Sequence, residues 1–244
     1  MNPARPGTPF HRAFSHRHVV LPVIHVSSEG QALRNADIAR EAGADGIFLI
    51  NHATHAEALL EIHARVTAHF PGWWVGVNCL GLDPASVFAR LSPQVLGVWT
   101  DNAEIEEGRA YQPRAEAIRR AREASGWPGL YFGGVAFKYQ RHVDDLKRAA
   151  QTATHFMDFV TTSGPGTGEA ADVDKIRTMK EAVGNFPLAI ASGITPDNVL
   201  EYLPYSDCYL IATGISKSFE ELDPARVKLL VETVRAWDAQ AHRQ

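Results

Sequence analysis

A chain of 244 residues with 45% hydrophobic and 21% charged residues has the balance of a soluble globular protein, which excludes disorder as its main state, and its length matches the roughly 250 residues of an eight-fold β/α barrel. The net charge of −4, with both signs interspersed and no run of Lys or Arg longer than two, offers no basic face to a nucleic-acid backbone, so nucleic acid is excluded as a partner. No apolar stretch approaches the roughly 18 residues of a membrane span, and the first 20 residues lack the apolar segment of a secretory signal, so the expected location is cytoplasmic.

In chain order, residues 1–17 carry three prolines and no periodicity and read as an N-terminal arm, packed on the underside of a domain spanning 18–244. Val19–His25 is the first strand, Gln31–Ala42 a helix, Ile47–Ile50 the second strand and Ala56–Phe70 the second helix. Trp73–Leu80 is the third strand, and Asp83-Pro84 opens the next helix with an N-cap and a first-turn proline. Val95–Trp99 and a helix near Arg114–Ala124 form the fourth unit, and Leu130–Phe137 with Val143–Thr154 the fifth. The run after Asp158 with Val173–Val183 is the sixth. The seventh follows Pro187 and leads to a helix start at Thr195-Pro196, with Thr195 as N-cap. The eighth strand precedes Gly214, and Pro224–Gln240 is the closing helix. Eight strand-then-helix units with short connections predict a single α/β domain, a (β/α)8 TIM barrel, and no G-x-G-x-x-G follows the first strand to support an open Rossmann sheet. Cys79 and Cys208 fall inside strand-like runs without metal or redox spacing and read as core residues.

In such a barrel, ligands meet the C-terminal ends of the strands, and the loops after strands seven and eight commonly hold phosphate. Three of these ends share one pattern, an apolar run closing on a small hydroxyl residue and glycine: Thr162-Ser163-Gly164, Ala191-Ser192-Gly193 and Ala212-Thr213-Gly214. Glycine there lets amide groups approach an oxyanion closely, so Ser163, Gly164, Ser192, Gly193, Thr213 and Gly214 are candidate phosphate-binding residues, with Thr167 and Gly168 of the loop Gly164-Pro165-Gly166-Thr167-Gly168-Glu169. Facing them, His25, Asn51, Asn78, Asp101 and Lys138 at other strand ends are the candidate catalytic residues. Lys138 would neutralise developing negative charge, and Asp101 would act as a general base or hold a ribose hydroxyl. The polar stretch 101–110 is long enough to serve as a lid.

His52 and His55 beside His25 raise the alternative of a metal-dependent hydrolase, but the acidic ligand such a site needs is missing from strand one, so no metal is expected. No cofactor motif is present and none is expected; no nucleophile-elbow motif appears either. Tyr111 and Tyr139, outside the predicted strands, are candidates for a homo-oligomer interface.

Pro22-Val23-Ile24-His25, Gly76-Val77-Asn78, Glu107-Gly108-Arg109-Ala110, Val135-Ala136-Phe137-Lys138, Ser163 to Glu169 and Ser192-Gly193-Ile194-Thr195-Pro196-Asp197-Asn198-Val199 together resemble the BtpA family of barrel proteins, from about residue 19 to residue 235. The resemblance implies a barrel related to ribulose-phosphate-binding proteins, and the family carries a name-giving link to photosystem I accumulation without a settled reaction. The chain departs from the family pattern at Val26-Ser27-Ser28-Glu29-Gly30, where a Pro- and Gly-rich turn is usual, and at Asn51-His52-Ala53-Thr54-His55, where an acidic residue is usual. The expectation is a BtpA-like enzyme acting on a phosphorylated small molecule, a sugar phosphate or nucleotide-like compound, by isomerase, lyase or phosphoribosyl-transfer chemistry. Its alternative is a non-catalytic assembly factor that retains the phosphate site.

Overall fold

A computed structural model of the chain describes residues 9–241. Eight parallel strands close into a barrel in sequence order. They are β1 Val19–His25, β2 Gly46–Ile50, β3 Trp74–Asn78, β4 Gly97–Thr100, β5 Leu130–Gly134, β6 Phe159–Ser163, β7 Leu188–Ala191 and β8 Cys208–Ile211. Closure runs through β8 and β1, where Val19 pairs with Cys208 and Leu21 with Leu210. The helices are α1 Pro9–Ala13, α2 Glu29–Glu41, α3 Ala56–His69, α4 Pro84–Val87, α5 Pro113–Ser125, α6 Leu146–Ala153, α7 Val173–Val183, α8 Val199–Tyr202 and α9 Pro224–Ala241.

The two-residue alternation of the strands divides the core in two. One set of side chains, among them Val20, Ile47, Val75, Val98, Tyr131, Val160, Ile190 and Tyr209, packs outward against the helices. The other, with Leu21, Phe48, Trp74, Trp99, Phe132 and Phe159, fills the barrel. Strands buried on both faces must be apolar throughout, which is why they stand out in the sequence as continuous runs. Inside, Phe132 lies parallel to Phe159 with centroids 4.0 Å apart, and Trp74 meets Phe48 edge-on at 5.1 Å. The Trp74 indole needs the bare backbone of Gly97 on the next strand, where a Cβ would stand 2.4 Å from the ring.

The N-terminal end of the barrel is plugged. Helix α1 carries Phe10 to within 5.5 Å of Phe159 and is followed by Phe14, 5.2 Å from Trp74, at the starts of β6 and β3. The arm read over 1–17 includes residues 1–8, which lie outside the described residues. Around the plug, charges are paired. Asp45 accepts from the Val20 amide at 2.7 Å and from Arg235 at 2.7 Å, tying α9 to β1. His18, buried, makes a 2.5 Å bond to Asp238 and a 2.9 Å bond to the Leu203 carbonyl.

Several boundaries differ from the sequence reading. Strand β5 stops at Gly134 rather than Phe137, because the chain turns through Ala136 in the left-handed region (φ 48°). Helix α8 starts at Val199 rather than Pro196; the Thr195 hydroxyl accepts from the amides of Asp197 and Asn198 and stabilises a turn ahead of the helix. Asp83 does cap α4, but that helix runs only to Val87 before tightening into a 3₁₀ turn, Phe88–Arg90. The polar stretch 101–110 is tied down, not free to act as a lid. Ala103, Ile105 and Glu107 are buried, Arg141 pairs with Glu107, and Glu107 also accepts from the Asp144 amide at 3.0 Å. That pairing holds the Glu107 carboxyl down at about 2.

Candidate active site at the barrel mouth

The left-handed turn at Ala136 brings Lys138 over the C-terminal ends of β5, β6 and β7. Its amide donates to Ser163 Oγ at 2.8 Å, and its ammonium reaches Ser192 Oγ at 3.1 Å and Thr167 Oγ1 at 3.3 Å. Among the described residues no carboxylate lies within ion-pair distance of this cation. Behind it, Lys175 of α7 donates to the Ala136 carbonyl at 2.6 Å and to the Ser163 carbonyl at 2.7 Å, and burial lowers its pKa to about 8. Lys175 thus clamps the turn that presents Lys138.

The ends of β7 and β8 supply neutral donors. Ser192 and Gly193 are both left-handed (φ 76° and 73°), so the chain reverses tightly after β7. The amides of Gly193, Ile194, Thr213 and Gly214 donate to no group among the described residues, whereas those of Ser192, Ile215 and Ser216 are bonded within the protein. The glycines also answer to packing. A Cβ at Gly193 would stand 2.3 Å from the Glu169 carbonyl oxygen, one at Gly164 2.1 Å from the same atom, and one at Gly214 1.8 Å from the Ile194 oxygen. Gly168, left-handed at φ 80°, brings the β6 loop against Thr213.

Across the opening lies the acidic side. Asn78 donates to Asp101 Oδ1 at 2.9 Å, and Gln140 fixes the Asp101 carbonyl at 2.5 Å. Burial raises the Asp101 pKa, and the Asn78 amide, Lys138 and His52 pull it back in part. His25 is lowered to about 4, chiefly by burial. Its Nδ1 lies 2.7 Å from the Phe219 carbonyl, which can only accept. At neutral pH the ring is therefore uncharged with its proton on Nδ1, leaving Nε2 as an acceptor. Phe219 stacks on His25 at 4.0 Å, and His52 meets His25 edge-on at 4.8 Å.

These groups enclose a cavity of about 230 Å³ lined by His25, His52, Trp99, Asp101, Lys138, Tyr139, Thr167, Ser192 and Thr213 with apolar neighbours. A second cavity of about 180 Å³ shares Leu80, Trp99 and Asp101 with it and adds Asn78, Thr100, Asn102 and Glu104. Strands one, four, five, seven and eight and the β6 loop thus bring His25, Asp101, Lys138, Ser192, Thr213 and Thr167 together. Asn78 joins through Asp101 and the second cavity.

Three candidates from the sequence do other work. Asn51 lines neither cavity; it accepts from the Leu80 amide at 2.7 Å and donates to the Thr54 carbonyl at 3.1 Å, because β2 points Phe48 and Ile50 inward and so turns Asn51 away. Ser163 spends its hydroxyl on the Lys138 amide and the Gly164 carbonyl. His55 is exposed and caps α3 through the Ala58 amide, so it does not join His25 and His52. Among the described residues, no three His, Cys, Asp or Glu side chains are placed to share a metal. Trp99, Lys175 and Phe219 went unremarked in the sequence. The alternation that makes Asp101 face inward makes Trp99 do the same, whereas Lys175 and Phe219 reach the site from outside the strands.

The fold and site define a class: a parallel eight-fold β/α barrel whose mouth sets a lysine without an ion-pair partner among the described residues, and open amides, against a half-buried carboxylate. The chain matches the BtpA family over residues 115–236, half of its length, and belongs to that family. It is 27% identical over 228 residues to an uncharacterized protein of Thermococcus kodakarensis, covering 84% of this chain and 85% of that one. A second uncharacterized protein, from Methanocaldococcus jannaschii, is 27% identical over 223 residues, with 82% and 83% covered. Among solved structures the chain resembles phosphoribosyl anthranilate isomerase from Thermus thermophilus, with TM-score 0.64, 16% identity, and 90% and 99% of the two chains covered. It also resembles (S)-3-O-geranylgeranylglyceryl phosphate synthase from Thermoplasma acidophilum in complex with sn-glycerol-1-phosphate, with TM-score 0.65, 15% identity, and 93% and 97% covered. At that identity the shared property is the fold.

Proposed function

We propose that this protein is an enzyme acting on a phosphorylated small molecule, with the phosphate held at the ends of β7 and β8. The observation that carries this reading is Lys138: its ammonium rests on two hydroxyls, Ser192 and Thr167, with no carboxylate beside it among the described residues, next to two turns in which the amides of Gly193, Ile194, Thr213 and Gly214 find no acceptor there. A charged donor so placed is incomplete until an anion arrives, and hydrogen bonds to charged groups are the strong ones. The solved neighbours with this fold include one that takes a phosphoribosyl compound and one bound to a glycerol phosphate.

The reacting end of the ligand then faces Asp101 and neutral His25. A carboxylate whose pKa burial has raised is a better base than one in water, and His25 Nε2 is a second acceptor. Asn78 orients Asp101, and Lys138 steadies negative charge that develops between them. Isomerase and lyase reactions on a phosphorylated carbonyl compound use such proton transfer, and phosphoribosyl transfer uses the same grip on the phosphate.

The test is the melting temperature of the protein in inorganic phosphate and in ribose 5-phosphate. Ligand at about one hundred times its Kd adds roughly 2.7 kcal/mol, which for a chain of this size is a rise of about 5–10 °C. Lys138→Met is expected to remove the rise. No shift in the wild-type protein with either compound would overturn the reading.

A further inference from the structure

The second lysine at the mouth stands where the fold has no need of a cation. Lys175 lies in the first turn of α7, the end at which the helix dipole disfavours positive charge. It is half-buried, and its ammonium is spent on two carbonyls, Ala136 at 2.6 Å and Ser163 at 2.7 Å. The ionisable groups around it are Asp172 and Asp174 beside it, Glu169 of the loop before α7, Lys147 and Arg148 of α6, Glu201 and Tyr202 of α8 and Lys138 of the turn it holds. Among the described residues none of them forms an ion pair with Lys175; Asp174 pairs with Arg177 instead. No neighbouring charge moves its pKa, which burial by itself lowers to about 8.

What Lys175 holds is a strained turn. Ala136 and Tyr139 are both left-handed without being glycine (φ 48° and 62°), a conformation that persists only where surrounding contacts over-determine it. The same turn presents Lys138, whose amide donates to Ser163 Oγ at 2.8 Å, and through Gln140 it fixes the Asp101 carbonyl at 2.5 Å. Lys175 bonds to both sides of this junction, Ala136 in the turn and Ser163 at the end of β6. An uncharged donor would satisfy the two carbonyls without the cost of burying a charge. What a lysine adds is strength that depends on a proton, because charge-assisted bonds are roughly twice as strong as neutral ones.

We infer that Lys175 is a positioning residue of the anion site: its positive charge holds the turn that carries Lys138, so that loss of one proton from a residue lining neither cavity loosens the grip on the ligand's phosphate. The inference rests on the phosphate reading above and adds to it a control by pH.

The experiment measures the Kd of inorganic phosphate by titration calorimetry at pH 7, 8 and 9, expressed for the dianion so that the ligand's own ionisation drops out. It compares the wild-type protein with Lys175→Met, which keeps the length of the stem and loses the charge. Wild-type affinity is expected to be full at pH 7, where Lys175 is charged, and to fall by about 2- to 5-fold by pH 9 as the charged bonds become neutral ones. Lys175→Met, with wild-type circular dichroism, is expected to bind about 3- to 10-fold more weakly already at pH 7 and to hold that value to pH 9. Should Lys175→Met not fold, Lys175→Arg, whose charge is permanent, decides the matter and is expected to show no fall. Wild-type affinity that does not change with pH would overturn the inference while the phosphate site stands. So would a fall that survives in either variant, which would belong to Lys138 or Tyr139 in the cavity wall, or a Lys175→Met protein that binds as tightly as the wild type at pH 7. Absence of phosphate binding by the wild-type protein at pH 7 would take down both readings together.

Discussion

The two ends of this barrel are built on opposite rules. At the N-terminal end buried polar groups are paired: Asp45 takes the Val20 amide and Arg235, His18 bridges Asp238 and the Leu203 carbonyl, and Phe10 and Phe14 close the opening. Among the described residues at the C-terminal end, a lysine has no carboxylate, four amides have no acceptor, an indole N–H is buried alone and a carboxylate sits where burial raises its pKa. Satisfied groups stabilise; unsatisfied ones cost stability and are useful only when a ligand completes them. The contrast sets the end that folds the chain against the end to which the proposed function is assigned.

Substitutions at the two ends should therefore fail in different ways. The largest expected effect on stability is at the plug, where Phe14→Ala removes a buried ring against Trp74 and should cost about 3–5 kcal/mol in chemical denaturation. Ligand affinity of the folded fraction should not change, and a matching loss of phosphate binding would blur the division. Asp238→Asn is next. It breaks a buried pair with His18, with an expected loss of about 3 kcal/mol. Burial pushes the Asp238 carboxyl up, but its bonds to His18 outweigh that and hold it below its ordinary value. Its stabilisation is therefore present at neutral pH and lost as the pH falls through the lowered value, so Asp238→Asn should flatten the acid limb of the stability curve. A variant with the same acid limb as the wild type would show that His18 and Asp238 do not act as a pair.

The smallest effect sharpens the contrast at the mouth. His25 titrates at about 4 in the folded protein against 6.5 when exposed, so between those values the unfolded chain holds a proton that the folded chain does not. Stability contributed by the neutral ring is complete above about 6.5 and declines as the pH drops toward 4. His25→Gln should remove that decline, read as a melting temperature that changes less between pH 7 and pH 5 than in the wild type. An unaltered slope would mean that His25 is not held neutral by its surroundings.

How far the sequence reached can be argued from single residues. Asp101 and Asn51 looked alike as polar residues ending apolar strands, yet Asp101 shares the inward face of Trp99 while Asn51 follows the inward Ile50 and turns aside to hold Leu80. Counting by twos from the core would have separated them. No such count reaches Lys175, which arrives from α7 and meets the ends of β5 and β6 because the helix after β6 packs back over the β5–β6 pair.

What the sequence determined alone was the alternation of buried strands with helices, because apolar runs covered on both faces and Gly- or Pro-marked breaks are local properties of the chain. From that followed the barrel, its direction and the end where the proposed site lies. Tertiary structure decided which polar strand ends meet in one cavity, which are consumed in holding loops, and why Gly164, Gly193 and Gly214 lack side chains: each touches backbone from another part of the chain or from its own returning loop. Those are facts of which segments come together in the folded chain, and they follow from the packing of strands, helices and loops, not from any local pattern.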